Sequence, residues 1–135
     1  MSGYLLDTNV LSEVIKKRPE PEVLDRIRAV PARDLSTSSV CVAELRYGAV
    51  RHPSSASLWE RIASEVLPRV RVLAVGEAEA IRAGDLLAVL ESKGQPVGIE
   101  DVLIGATALV GKLTVVTRNV RHFERMPGLA VESWW

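Results

Sequence analysis

Short apolar runs alternate along this chain with stretches of helical periodicity. Tyr4-Leu5-Leu6 is a brief apolar run closed by Asp7 and reads as a first strand. Val10, Leu11, Val14 and Ile15 then recur at helical spacing, with Thr8 or Asn9 available as a cap. That helix is expected to reach about Lys17, where Lys16, Lys17 and Arg18 suit the negative end of the dipole and Pro19 and Pro21 mark the break. Val23, Leu24, Ile27 and Val30 predict a second amphipathic helix stopped near Pro31. Leu35-Ser36-Thr37 predicts a short strand, with Ser38 or Ser39 capping a helix from Val40 to about Val50 whose inward stripe is Val40, Ala43, Tyr47 and Val50. A further helix from Ser55 to about Leu67 carries Leu58, Ile62 and Val66 four apart, and residues 71–75 are short and β-rich.

A long helix is expected next, to about Lys93. Its inward residues are Ala83, Leu86, Leu87 and Leu90, and Gly94 fits the residue after its cap. From about Glu100 to Val110 the pattern is apolar nearly all round, which predicts a deeply buried helix. Thr114-Val115-Val116 predicts a strand and Ala130-Val131 a last short one. Strands alternating with helices imply parallel crossovers and a three-layer α/β/α domain, its short-stranded parallel central sheet flanked by helices. No repeat or linker-like stretch divides the sequence, so residues 1–135 are expected to form one domain.

Composition narrows the class. With 47% apolar and 25% charged residues, wholesale disorder is not expected. One cysteine, Cys41, permits no internal disulfide, and two histidines complete no zinc framework. Cys41 reads most simply as a small core residue. No apolar stretch approaches ~18 residues and no basic leader precedes the first strand, so a cytoplasmic protein without a membrane span is expected. The 17 basic and 17 acidic residues cancel, which argues against holding nucleic acid by a broad basic field.

Most of the acids, among them Glu13, Glu20, Glu22, Asp25, Glu60, Glu65, Glu77, Glu79 and Glu91, read as surface residues of helices. Three do not. Asp7 ends a strand, where ligands bind in parallel α/β sheets. Glu44 sits in a weakly polar segment, and Cys41 three residues earlier denies it a capping box. Asp101 opens the most apolar helix, and its neighbours Ile104 and Gly105 turn it inward while Glu100 faces solvent. Thr117 and Asn119 follow another strand, with Arg118, Arg121, His122 and Arg125 crowding the same stretch. Convergent carboxylates repel one another unless a cation neutralises them. Oxygen ligands without histidine or cysteine point to Mg²⁺ or Mn²⁺, the equipment of metal-assisted phosphodiester hydrolysis.

Four spaced motifs carry a family resemblance: Leu5-Leu6-Asp7-Thr8-Asn9; Ser38-Ser39-Val40 leading to Ala43-Glu44-Leu45; Asp101 to Ala108; and Val116-Thr117-Arg118-Asn119 with His122-Phe123. In this the chain resembles PIN-domain ribonucleases, and most closely the VapC toxins of VapBC toxin–antitoxin modules. Pro127-Gly128-Leu129 to Trp134 resembles that subgroup too. The resemblance implies a Mg²⁺- or Mn²⁺-dependent endoribonuclease, a homodimer, and a small VapB-like antitoxin whose tail blocks the acidic site. It matches Asp7, Glu44 and Asp101 to the acidic triad and Asn119 to a fourth site where many members have aspartate. Thr8 and Thr117 match supporting polar residues. Arg118, Arg121 and Arg46 are the expected contacts to RNA phosphates.

Other readings remain at this level. Within the family, the alternative is a PIN nuclease of RNA processing or DNA repair. A phosphoacceptor receiver module would want further acids before Asp7 and a lysine ending a late strand, whereas Lys112 precedes its strand. A haloacid-dehalogenase-like phosphatase would want aspartate where Asn9 stands. A non-catalytic RNA-binding module would favour a basic, aromatic surface, and this chain is neutral and 4% aromatic. His52 precedes Pro53 and His122 has basic neighbours, so neither is expected as a general base. Trp59, Trp134 and Trp135 are candidates for interface anchors.

Overall fold

The computed structural model describes residues 3–135. The expectation of no leader rests partly on Met1 and Ser2, which lie outside the described residues. Five strands form one parallel sheet: β1 (Tyr4–Leu6), β2 (Leu35–Ser38), β3 (Arg71–Leu73), β4 (Thr114–Val116) and β5 (Val131–Glu132). Their order is β3-β2-β1-β4-β5. The chain therefore builds outward from β1 through β2 to β3, then returns to the other side of β1 for β4 and β5. The switch point of this doubly wound sheet lies between β1 and β4, and its carboxyl end is the expected place for a ligand.

Among the described residues, seven helices cover the two faces and make three layers. They are α1 (Thr8–Val14), α2 (Pro21–Ala29), α3 (Ser39–Arg51), α4 (Ser55–Arg61), α5 (Glu77–Ser92), α6 (Ile99–Gly111) and α7 (Val120–Glu124). A single π turn, Ile62–Val66, and a short 3-10 turn carry α4 on towards β3. Among the described residues no helix is long and apolar enough to cross a membrane.

Local chemistry accounts for most boundaries. Helix α5 ends as its glycine requires: Gly94 has φ +65°, its N–H donates to Glu91 O, and Gln95 N–H donates to Leu90 O. Ser38 caps α3 by accepting from Val40 N–H at 3.1 Å. Helix α6 buries Val102, Ile104, Ala106 and Ala108, as its all-round apolar pattern requires.

Four expectations are corrected. The first helix is capped by Asp7 itself, which accepts from Thr8 N–H, because the Thr8 hydroxyl is committed to Glu44. It also stops at Val14. Glu13 turns the chain back there, accepting from Glu20 N–H at 2.8 Å and facing Lys16 Nζ at 2.9 Å. The buried stripe of α3 is Cys41, Leu45 and Ala49; Tyr47 and Val50 of the expected stripe stand 63% and 55% exposed. Both faces of that helix are apolar, so periodicity alone does not choose between them. Leu87 of α5 likewise lies at the surface.

Two glycines give opposite expectations for the same substitution. Gly84 has open space around it, and removing its unfolded-state freedom is worth about 0.5–1 kcal/mol within a helix. At Gly105 a Cβ would run into the buried sulfur of Met126, and such overpacking costs about 1–3 kcal/mol. Denaturant titrations should therefore show Gly84→Ala stabilised and Gly105→Ala destabilised.

Candidate active site

Asp7 leaves the end of β1 and is only 4% exposed, with its backbone N–H donating to Val116 O of β4 at 3.0 Å. A carboxylate so placed must be held by donors, and it is. Its Oδ1 accepts from Thr8 N–H at 2.8 Å and its Oδ2 from the Thr117 hydroxyl at 2.8 Å. Asn9 Nδ2 adds a longer contact at 3.4 Å. The Thr117 oxygen in turn accepts from Asn119 N–H at 2.9 Å, so one buried hydroxyl links the acid to the loop after β4. Asn9 Oδ1 accepts from Arg118 N–H at 3.1 Å and pins that loop to α1.

Glu44 comes from the middle of α3 and accepts from the Thr8 hydroxyl at 2.6 Å. Asp101 comes from the first turn of α6 and faces inward, while Glu100 is exposed, as the sequence implies. Asp7, Glu44, Asp101, Thr8 and Asn119 all line one open cleft of about 360 Å³ at the switch point. Thr117 stands directly behind it.

Burial pushes the Asp7 carboxyl above its ordinary value of 3.8. The Thr117 hydroxyl and Thr8 N–H pull it down, whereas Asp101 and Glu44 push it further up. Cys41 Sγ lies 3.9 Å from Asp7 Oδ1, and burial raises its thiol to about 11. The ligand atoms of Asp7, Cys41 and Glu44 fall within 4.8 Å of one another. With the thiol held protonated, the anionic donors of this group are the two carboxylates. A donor set of hard oxygens around a buried acid whose neighbours disfavour its charge fits a divalent cation.

The cleft also holds residues that sequence reasoning passed over. Glu13, expected at the surface, is 3% exposed and lines the same wall. Burial pushes its carboxyl upward, but Lys16, the Glu20 N–H and Arg118 outweigh this and hold it below its ordinary value of 4.5. Its Oε1 pairs with Lys16 Nζ at 2.9 Å. The i,i+3 spacing of Glu13 and Lys16 was the available signal. His122, set aside as surrounded by bases, faces an acid: its Nδ1 lies 2.9 Å from Asp101 Oδ2.

Of the expected phosphate contacts, Arg118 lines the acidic cleft, its guanidinium 5.4 Å above the Trp135 ring. Arg121 lies in a separate basic cleft with Lys93 and Arg125. Arg46 is stacked on Trp59 at 4.8 Å and lines neither cleft. Trp134 is no interface anchor, because it is buried against Tyr4 and its ring N–H donates to Glu132 at 2.7 Å.

Comparison with known proteins places this geometry. A family model described as PIN domain matches residues 4–129. The tRNA(fMet)-specific endonuclease VapC of Salmonella typhimurium is 36% identical over 137 aligned positions, covering 99% of each chain. Among solved structures, FitAcB from Neisseria gonorrhoeae superposes with a TM-score of 0.91 at 31% identity, over 98% of each chain. DNA-bound VapBC from Salmonella typhimurium gives a TM-score of 0.90 at 35% identity, over 100% of each chain.

The raised pKa of Asp7 makes the stability of the fold depend on pH. Its ionisation is harder in the folded than in the unfolded state. The stability it contributes is therefore whole below 3.8 and lost as pH climbs through the raised value. Asp7→Asn removes that loss. Melting in chelator from about pH 4 to 7 should show the variant gaining on the parent as pH rises. Divalent cation should then stabilise the parent alone. Parallel pH curves would contradict the burial-driven shift.

Proposed function

The chain belongs to the PIN-domain family, and from that premise we propose that it is a VapC-type endoribonuclease whose acids Asp7, Glu44 and Asp101 hold Mg²⁺ or Mn²⁺. The observation that carries this reading is the buried Asp7 at the β1/β4 switch point, with Glu44 and Asp101 turned towards it from two other helices. When bound, the cation supplies Lewis acidity, lowering the pKa of a water and screening charge on the phosphate.

The chain's own groups divide the remaining work. Thr117 and the Thr8 N–H fix both oxygens of Asp7, and the Thr8 hydroxyl fixes Glu44. Glu44 then ligates the cation or orients the attacking water. Asn119 offers a neutral amide at the fourth position, so the site has three anionic ligands. That supports one tightly held cation, with any second one held more weakly. Arg118 on Trp135 gives the rim a cation and a flat ring for the RNA backbone and a base. Arg121, with Lys93 and Arg125, lines a second, basic cleft that offers further contacts to phosphate.

The reading includes a toxin's role, neutralised by a VapB-like antitoxin. An apolar groove lined by Ile15, Leu45, Ala49, Leu58 and Ile62 shares Thr8, Ser12, Lys16 and Glu44 with the acidic cleft. It suits a peptide that fills the groove with apolar side chains and offers a cation to the carboxylates. We further assign the chain to a single cytoplasmic domain that pairs with a second copy, and the exposed Tyr47 and Val50 of α3 supply apolar surface for such contacts.

RNA cleavage by purified protein tests the reading, with tRNA(fMet) as the first substrate because the Salmonella relative is named for it. Mg²⁺ should support cleavage and chelator abolish it. Asp7→Asn and Asp101→Ala should each lose more than the ~10–100-fold typical of removing an outer ligand partner. Equal cleavage in all samples would show a contaminant. Arg118→Ala should weaken RNA binding, measured in Ca²⁺, and lower the salt slope by about one. An unchanged slope would remove Arg118 from the RNA path.

A further inference from the structure

Each acid of the cleft is oriented by a donor, and the donors differ. Asp7 is fixed by Thr117 and by Thr8 N–H, and Glu44 by the Thr8 hydroxyl. For Asp101 the partner is His122, whose Nδ1 lies 2.9 Å from Oδ2. An ionised carboxylate only accepts hydrogen bonds, so the contact requires that Nδ1 carry the proton and donate it. This occupies Oδ2 and leaves Oδ1 for the cleft.

The imidazole is not there by chance of a mobile side chain. Its neighbour Phe123 is wholly buried and anchors α7 in the core. Arg125 Nη1 donates to Pro96 O at 3.4 Å, tying the end of α7 to the loop that leads into α6. Helix α7 is therefore held through its C-terminal turn, by Phe123 in the core and Arg125 on the loop that leads to the helix carrying Asp101. An ordinary surface ion pair between long flexible chains contributes little. Here a two-torsion ring on an anchored helix meets a first-turn aspartate that is only 22% exposed.

Resting on the metal-site reading above, we propose that His122 is the positioning residue for Asp101, holding one carboxylate oxygen so that the other faces the divalent cation. Outer hydrogen bonds to ligating carboxylates generally contribute about 10–100-fold to metal affinity. The function of His122 is thus to set the affinity of the cation, with no contact to RNA and no proton transferred in the reaction.

The test is Mn²⁺ titration of the RNA-free protein by calorimetry, beside melting of the metal-free protein. His122→Ala should weaken Mn²⁺ binding by about tenfold or more and raise the Mn²⁺ needed for half-maximal cleavage by the same factor. At saturating Mn²⁺ the cleavage rate should return towards that of the parent. His122→Asn places an amide N–H near the position of Nδ1 and should recover most of the affinity. Parental affinity in His122→Ala overturns the proposal. So does His122→Asn binding as weakly as His122→Ala, and so does a loss that merely follows a lower melting temperature in metal-free protein. Asp101→Ala separates the two levels. If it binds Mn²⁺ like the parent, the metal site itself is wrong; if it loses binding while His122→Ala does not, only the role of His122 is wrong.

Discussion

The structure depends on keeping one carboxylate, Asp7, almost out of water at the point where the sheet reverses direction. Desolvation disfavours its charge, and Glu44 and Asp101 disfavour it further. A fold with only hydrophobic contacts there would protonate the acid or expel it. Thr117, Thr8 and Asn9 oppose this by hydrogen-bonding the carboxylate from the loop after β4 and from α1. The same bonds pin the β4 loop across the end of β1. The groups that tolerate the acid are therefore also the groups that assemble the cleft.

That constraint explains polar residues elsewhere in the interior. Strand β2 buries Ser36, Thr37 and Ser38, an unusual run for a central strand. Thr37 donates to Leu6 O at 2.8 Å, bracing β1 one residue before Asp7, and Ser38 caps the helix that delivers Glu44. Cys41, on the buried face of that helix, sets its thiol against Asp7. Thr37, Ser38 and Cys41 each have a partner, which is the condition for keeping such groups inside. The remaining like-charge strain among the acids is of the kind that a bound cation would relieve.

Charge distribution completes the picture. A chain with 17 acids and 17 bases is neutral as a whole, yet Asp7, Glu13, Glu44 and Asp101 gather in one cleft beside Arg118, while Lys93, Arg121 and Arg125 line a separate one. Regions of opposite sign thus coexist on one neutral chain. Net charge averages the two and hides both.

The sequence by itself determined the alternation of strands and helices, the glycine stop of α5 and the burial of α6, and it singled out Asp7, Glu44, Asp101, Thr117 and Asn119 as candidates that the fold brings to one cleft or directly behind it. Those features are local: strand ends, capping chemistry and period-3.6 patterns act over a few residues. Tertiary structure alone decided which apolar face of α3 turned inward, since Tyr47 and Val50 match Cys41 and Ala49 in periodicity. It alone buried Glu13, sent Arg46 to Trp59 and packed Trp134 on Tyr4. It alone brought His122 to an acid 21 residues away. A sequence pattern records the faces an element can bury; contacts between elements choose among them, because only there do desolvation and hydrogen bonding compete.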